Sequence, residues 1–526
     1  MNKTKEKLLM AIVLFGVSLF LTGVSYYSSF RYVGDTALYA QITNNIAHTG
    51  KAEGNIFANT QDFIDRHIAE MKIVDRMFDE ESFLPPREQS RNMLKFHCCL
   101  ILYLLCPLCY IMSPFMCVTL AQSVALAFSI FFPILLMREK RIPISIILAT
   151  LLLLVSHPGW SMPAVYGAFY PERLFMGTGM YLIWACERRS FSKTHFIIAT
   201  ILCALTGERG GGYAGAFVLA HTFFYWKETC ANRKLRLITG VVSLFYAMIV
   251  MKYILENLYY TNMGSKLNIF SYFLLEENRK KVVLFLLINV VLFLIVALFD
   301  LRAFIIGAAS MVPNLLYDAG GAEKIGWTLH YHVFYFVILM WAVTKGMISL
   351  YCRLKVKEVS NSNEKILPVM LTVTFSLFLG FINPIDISIS FNQNNVKNNI
   401  IYNGPHEIYL QYILGGRKVR QRFNDFINEN IPAEAVVSTI EAGMCSAFKH
   451  QIYLFPLGTD TADVAIVAYV EEKGKIRYFG SVVYDAGIKE MNKFDQYVVE
   501  KMKAEGYDFQ NPSLYPPYGI AIIKKK

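Results

Sequence analysis

The chain has 526 residues, of which 55% are hydrophobic and 17% are charged. Its mean hydropathy of +0.38 and its apolar runs, several near the about 20 residues that cross a bilayer, exclude an ordinary soluble protein and predict a polytopic membrane protein. The net charge of +11 is spread over short loops, where it indicates membrane topology and contact with anionic lipids rather than binding of nucleic acid.

Residues 1–30 contain the first apolar segment, which follows three lysines. Basic residues before an apolar run are typical of a retained signal anchor whose N-terminus stays inside. A cleaved signal peptide is the alternative, although no small-x-small cleavage site precedes the polar sequence that follows. Residues 31–96 are predicted to form an external loop, in which residues 60–78 have the pattern of an amphipathic helix lying along the membrane surface.

Asp35 is the first candidate site residue in this loop. It lies where the first membrane helix meets the loop, and a carboxylate at that place can act as a base on a lipid-borne substrate. The alternative role is structural, because Leu38, Ile42 and Ile46 follow at helical spacing and Asp35 suits the N-cap of that helix. The two roles are compatible.

Residues 97–386 are predicted to form the membrane domain. Apolar runs alternate with short basic loops, which predicts about eleven crossings in the chain, with the N-terminus inside and the C-terminus outside. This count requires that residues 97–112 do not cross fully, since about 16 helical residues span only about 24 Å. Arg279, Lys280 and Lys281 then fall outside, as either a solvated loop end or a contact for a lipid phosphate.

Residues 387–526 are predicted to form a small extracytoplasmic α/β domain without a glycine-rich phosphate loop. Helical patterns occur at residues 421–430 and 489–505. Strands are predicted from four short apolar runs, at residues 435–439, 451–455, 463–469 and 519–523. The predicted fold class is therefore an all-α polytopic membrane bundle with this α/β domain at its C-terminus.

The notable polar residues of the membrane part all fall on the predicted external side. They are Asp35, Tyr39, Gln41, Asn45, His97, His157, Glu172, Glu208, Arg209, His330, Tyr331 and His332. Ionisable groups are costly at membrane depth, so several on one side predict a site. Singly, each has a structural interpretation: His97 and His332 as hydrogen-bonded core groups, Glu172 in the first turn of a helix, and Glu208 with Arg209 as a local ion pair.

Several of these residues belong to ordered motifs. Asp35 is followed by an aromatic residue, a glutamine and an asparagine at +4, +6 and +10, and His97 by Pro107. Further motifs are Tyr170-Pro171-Glu172 before a basic cluster, Gly207-Glu208-Arg209, Tyr331-His332 before an apolar run, and the tail segments IPAEAVVS and IYLFP.

This ordered set resembles a bacterial family of predicted membrane proteins, the domain of unknown function 2079, which is related to the GT-C class of integral-membrane glycosyltransferases. The resemblance covers nearly the whole chain. Tyr170 stands where the family has a histidine, and of the family's Lys-Glu-Asp motif only Glu208 is present. The resemblance implies a GT-C-like helical bundle, an acidic residue in the first external loop and an extracytoplasmic tail domain.

The resemblance also implies a chemistry, the transfer of a sugar from a polyprenyl-phosphate donor to an acceptor outside the membrane. Asp35 would be the base, and Glu172 and Glu208 would orient the acceptor or a divalent metal ion. Arg209 and His332 would hold phosphate. The remaining expected substrate-binding residues are Tyr39, Gln41, Asn45, His97, Tyr170 and Tyr331.

The expected partners are membrane lipids, a lipid-linked sugar, and an envelope glycan or protein acceptor, with the protein in the plasma membrane. One alternative is a transporter or flippase of a lipid-linked envelope precursor, although the sequence shows no internal repeat. Another is a non-catalytic scaffold for envelope assembly that binds through its tail.

Overall fold

The computed structural model of the chain describes residues 3–28, 34–67, 83–165, 169–255, 282–316, 331–356, 368–379, 417–444, 446–472, 474–479, 493–516 and 519–526. Three predicted features lie wholly or partly outside these residues. They are the cluster of Arg279, Lys280 and Lys281, then His330, and the second half of the predicted amphipathic helix at 60–78.

The described residues are mainly helical. The helices up to residue 249 are α1 Lys3–Ser28, α2 Gly34–Thr49, α3 Asn55–His67, α4 Ile101–Leu105, α5 Pro114–Glu139, α6 Ile144–Ser156, α7 Pro158–Val165, α8 Phe175–Glu187, α9 Lys193–Leu205, α10 Glu208–Phe224 and α11 Arg233–Ile249. Later helices in the membrane part are Val282–Val291, Leu301–Ser310, Val312–Leu316, Val333–Val356 and Pro368–Leu379.

Three described helical segments are long and apolar enough to cross a membrane, namely Pro114–Glu139, Cys230–Ile254 and Val333–Lys355. Shorter apolar helices accompany them, among them Ile144–Ser156 and Lys193–Leu205. Large apolar side chains such as Phe15, Leu148 and Phe245 remain exposed, which suits a surface that faces lipid. The chain is therefore a multi-pass membrane protein, and the count of about eleven crossings stays a prediction.

Two predicted segments can be compared directly with the structure. Residues 97–112 contain only the short helices Ile101–Leu105 and Cys106–Tyr110, in line with a segment that does not cross fully. The run of residues 207–212, which contains four glycines, also predicts a turn between two crossings, and this prediction is wrong because α10 already begins at Glu208. Gly207 makes the turn alone, with a φ of 147° that favours glycine.

A buried polar network joins four helices at the end of α8. Glu187 Oε1 accepts a hydrogen bond from Trp341 Nε1 at 3.0 Å and lies 3.1 Å from His221 Nε2, while its Oε2 accepts from Lys345 Nζ at 2.9 Å. Arg236 in turn donates to His221 Nδ1 at 3.2 Å. The network connects α8, α10, α11 and the helix that carries Lys345. None of these residues belongs to the predicted site.

The C-terminal domain is a mixed sheet with helices Arg417–Asn430, Glu441–Met444 and Lys493–Ala504. Its strands are β3 Val436–Thr439, β4 Gln451–Leu454, β5 Val464–Glu472, β6 Lys475–Phe479, β7 Ser513–Tyr515 and β8 Ile520–Lys524, in the order β4-β3-β5-β8-β7 with β6 paired to β5. β3 runs parallel to β4 and β5, and the other pairs are antiparallel. The four predicted strands are present, while β6 and β7 were missed.

The first loop packs between the bundle and the C-terminal domain. It contains a two-stranded ladder of β1 Glu53–Gly54 and β2 Arg91–Asn92, and α3 lies against β4. Ile42 of α2, Phe57 of α3 and Ile452 of β4 belong to one buried apolar cluster. Gly458 N donates to Phe83 O at 2.7 Å, which adds a further contact between loop and domain. The loop and the domain thus share a core.

Candidate active site

Four chain segments bring charged side chains together where the first loop meets the bundle. Asp35 lies on α2, His97 precedes α4, Glu172 lies on the 3-10 helix Pro171–Leu174, and Glu208 begins α10. α2 is held against the bundle by its apolar face, on which Tyr39 makes edge contacts with the rings of Phe169 and Tyr170. Packing of α2 therefore determines where Asp35 stands.

Asp35 lies in the first turn of α2, which begins at Gly34, so it does not occupy the predicted N-cap position. Its Oδ2 accepts a hydrogen bond of 2.6 Å from the Tyr170 hydroxyl, and the side chain is half-buried. Burial raises the pKa of Asp35, against the opposing effects of the Tyr170 hydroxyl and of the positive charges of His97 and Arg173. A carboxylate with a raised pKa is a stronger base than an exposed aspartate.

Arg173 also lies in this site, although it is not among the residues predicted from the sequence. It is fully buried, and its guanidinium Cζ lies 5.0 Å from the centre of the Tyr170 ring. Burial lowers the pKa of Arg173 to about 10, so the side chain stays cationic at neutral pH, near Asp35 and Glu172. The signal available in the sequence was its place directly after Pro171-Glu172, in the middle of an otherwise apolar stretch.

His97 and Glu208 form a buried pair. The distance from His97 Nδ1 to Glu208 Oε1 is 3.3 Å, and Cys98 N donates to Glu208 Oε2 at 3.3 Å. Burial acts to lower the pKa of His97, but the hydrogen bond with Glu208 and the negative charges of Glu208 and Glu172 together outweigh this effect and raise it. Burial acts in turn to raise the pKa of Glu208, and His97 lowers it to about 2. Both shifts favour the charged forms, an imidazolium beside a carboxylate.

Glu172 stands close to this pair and is only 4% exposed. Burial raises its pKa, His97 acts in the opposite direction, and the negative charge of Glu208 raises the pKa further. The pKa values of Glu172 and Glu208 are thus shifted in opposite directions, because Glu208 bonds directly to His97. Two carboxyl groups with different pKa values in one place are typical of sites that move protons.

Arg209 has an aromatic partner. Its guanidinium Cζ lies 4.8 Å from the centre of the Tyr331 ring, and the residue is half-buried. Glu208, which the sequence predicts to pair locally with Arg209, also bonds to His97. A cation held over a ring keeps its hydrogen-bond donors at the edge, where they can meet an anion.

Three of the expected substrate-binding residues make contacts away from these charged groups. His332 Nε2 donates to the Gly159 carbonyl at 3.0 Å, within the helix bundle. Gln41 bonds to α3, and Asn45 Nδ2 donates to Glu53 O at 2.7 Å. Gln41 and Asn45 therefore hold the turn between α2 and α3.

The residues that the structure describes contain no ligand set for a metal ion. No group of three His, Cys, Asp or Glu side chains within them comes close enough to hold an ion. The divalent metal that Glu172 and Glu208 were expected to orient therefore stays a prediction.

Solved structures of one known protein are weakly similar to this chain in fold. No family model and no curated protein matches the chain, so the resemblance to the domain of unknown function 2079 stays a prediction. Similar solved structures include ArnT from Cupriavidus metallidurans bound to undecaprenyl phosphate and the same protein in the apo state. Each has 14% identity and a TM-score of 0.42 and covers 84% of this chain, with 85% and 84% of the other chain covered. This likeness is weak, and the function is inferred from the site itself.

Proposed function

We propose that the chain is a GT-C-like integral-membrane glycosyltransferase that moves a sugar from a polyprenyl-phosphate donor to an extracytoplasmic envelope acceptor. The observation that supports this most is the half-buried Asp35 beside buried groups of both charges. Such a set suits a reaction that removes a proton at one point and releases an anion at another. The protein would lie in the plasma membrane, with its N-terminus inside and its C-terminal domain outside.

Asp35 is the base in this proposal. An acceptor hydroxyl attacks the anomeric carbon of the sugar, and its proton passes to Asp35. The bond from that carbon to the phosphate oxygen breaks, and the electron pair leaves with polyprenyl phosphate. The Tyr170 hydroxyl holds Oδ2 and so orients the carboxylate, while Oδ1 receives the proton.

Arg209 is assigned to the phosphate. Its planar guanidinium can donate two parallel hydrogen bonds to phosphate oxygens, and the Tyr331 ring limits its freedom. The cations Arg173 and His97 add positive potential from the buried side. His332 is left out of this role, because it bonds to Gly159 within the bundle.

Glu172 is assigned to the acceptor. A carboxyl group can accept hydrogen bonds from sugar hydroxyls, or share a divalent metal ion with Glu208. Tyr39 is buried beside Tyr170 with its ring edge-on, where it supports the residue whose hydroxyl holds Asp35.

The test compares Asp35→Asn with wild type at matched membrane abundance. Mass spectrometry measures the polyprenyl-phosphate-linked sugars and the released envelope glycans. We expect transfer to fall by about 100-fold or more, with one donor accumulating and one glycan residue lost. The control is Glu88→Gln, because Glu88 is an exposed carboxylate of the same loop that pairs with Arg91.

The outcomes separate the alternatives. If Asp35→Asn changes both pools and Glu88→Gln changes neither, the transferase is supported and the lost residue names the sugar. Unchanged pools in Asp35→Asn would overturn the assignment of Asp35 and of the transferase. A flippase or an assembly scaffold would then be the better account.

A further inference from the structure

The side chains of Gln41 and Asn55 connect α2 to α3. Gln41 Nε2 donates to Asn55 Oδ1, and Ile56 N donates to Gln41 Oε1 at 3.1 Å. The second bond satisfies one of the backbone N–H groups that the first turn of a helix leaves without a helical partner. Gln41 therefore caps α3 and binds its first residue with the same amide group.

The turn between the two helices is shaped for this contact. A Cβ atom at Gly54 would lie 2.6 Å from Gln41 Oε1, so glycine allows the amide to approach. One helical turn further along α2, Asn45 Nδ2 donates to Glu53 O at 2.7 Å. Two side chains of α2 thus hold the start of α3.

α3 is in turn bound to the C-terminal sheet. Asn55 Nδ2 and Asn59 Nδ2 both donate to the Ile452 carbonyl of β4, at 3.1 and 2.8 Å. A carbonyl oxygen has two lone pairs, and these two donors use both. Ile452 lies within β4, opposite Val437 of β3, so its carbonyl moves with the sheet.

From this continuous path we infer that the C-terminal domain positions the Asp35 helix through Ile452, Asn55 and Gln41. Asp35 precedes Gln41 by six residues on α2, about 9 Å along a helix that moves as a rigid rod. Gln41 and Asn55 are then positioning residues. Only the effect on catalysis rests on the proposed function, because the mechanical link exists whatever the reaction is.

The position of α2 affects the site because its first turn contacts the chain segment that leads to Glu172. Thr36 Oγ1 accepts from Phe169 N at 2.8 Å, and Asp35 accepts from Tyr170, so α2 also holds the segment before Glu172. A displacement of about 1 Å at reacting groups can lower a rate by about 100-fold. Docking of the C-terminal domain would therefore complete the site.

Asn55→Ala and Asn59→Ala form a matched pair for the test. Each removes one donor to the same Ile452 oxygen, but only Asn55 also contacts Gln41. Amide hydrogen exchange is measured on the full-length protein in nanodiscs, over residues 34–49 and 451–454. If Asn55→Ala does not insert into the membrane, Asn55→Asp serves as the second variant, because it keeps the size of the side chain.

We expect both variants to raise exchange in β4, and only Asn55→Ala to raise it in α2, by about threefold to tenfold. Gln41→Ala should raise exchange in α2 as well, and the double variant with Asn55→Ala should be little different from either single one. Equal exchange in α2 for Asn55→Ala and Asn59→Ala would overturn the link.

The effect on catalysis is measured separately, as the kcat and KM of transfer. Asn55→Ala should lower kcat by about tenfold with little change in the KM for the lipid donor, whereas Asn59→Ala should keep kcat within about twofold of wild type. If α2 exchange rises but kcat is unchanged, the positioning role is overturned. If Asp35→Asn also retains full transfer, the proposed function has failed, and the exchange data still decide the link.

Discussion

The substitution Lys345→Met tests the network around Glu187. Lys345 Nζ donates to Glu187 Oε2 at 2.9 Å, and their side chains are 18% and 9% exposed. Methionine preserves most of the length and apolar contact of lysine and removes its charge. Glu187 then keeps Trp341 and His221 as partners but loses its direct bond to a cation.

The expected loss follows from burial. Breaking a buried ion pair from one side typically costs about 3–5 kcal/mol of unfolding free energy. Glu187 retains two hydrogen-bond donors, and Lys345 is partly exposed. We therefore expect this substitution to lower the unfolding free energy by about 2–3 kcal/mol. At about 2–4 °C per kcal/mol, as found for chains of some 150–250 residues, the unfolding temperature should fall by several degrees. Glu187→Gln combined with Lys345→Met removes both charges and should recover more than half of the loss.

Unfolding can be followed with a thiol-reactive dye at one scan rate, because Cys186 and Cys203 are buried and become reactive when the bundle opens. Glu228→Gln is the control. It breaks a 2.8 Å pair with Arg302 in which the side chains are 53% and 44% exposed, so it should cost less than about 1 kcal/mol. Equal midpoints for Lys345→Met and Glu228→Gln, or a double variant less stable than Lys345→Met, would refute this reasoning.

Three further outcomes are expected. Tyr170→Phe removes a hydrogen bond that lowers the pKa of Asp35, so the acid limb of the transfer pH profile should move to higher pH; an unmoved limb would exclude Asp35 as its origin. Because the pKa of His97 is raised, its stabilising effect is complete below the ordinary value of about 6.5 and is lost as pH rises through the folded value. The advantage of wild type over His97→Asn in thermal unfolding should accordingly shrink from pH 6 to pH 9, and a constant difference would contradict this. Cys230 and Cys352 are exposed and lie at helix ends whose basic residues are predicted to be inside, so an impermeant maleimide should label these two cysteines only in permeabilised cells, and their labelling in intact cells would reverse the topology.

The candidate site could be predicted in part. Asp35, Glu172 and Glu208 stand out in the sequence because charged residues are costly near a membrane, and the structure brings them into one region. Gln41 and Asn45 occupy the same motif as Asp35, yet they bond to the turn before α3. A sequence motif shows which residues occur together. It does not distinguish residues that bind a substrate from residues that stabilise the backbone.

The membrane character, the helical segments and the main strands of the tail were determined by the sequence itself. Hydropathy and periodicity are local properties, so they can be read without knowing what packs on what. The partners of the charged groups were decided only by the tertiary structure. Tyr170 meets Asp35 across 135 residues, and Glu208 meets His97 across 111, so their pKa values depend on how distant segments pack. The bond from Asn55 to the carbonyl of Ile452 spans 397 residues, and no local pattern predicts it.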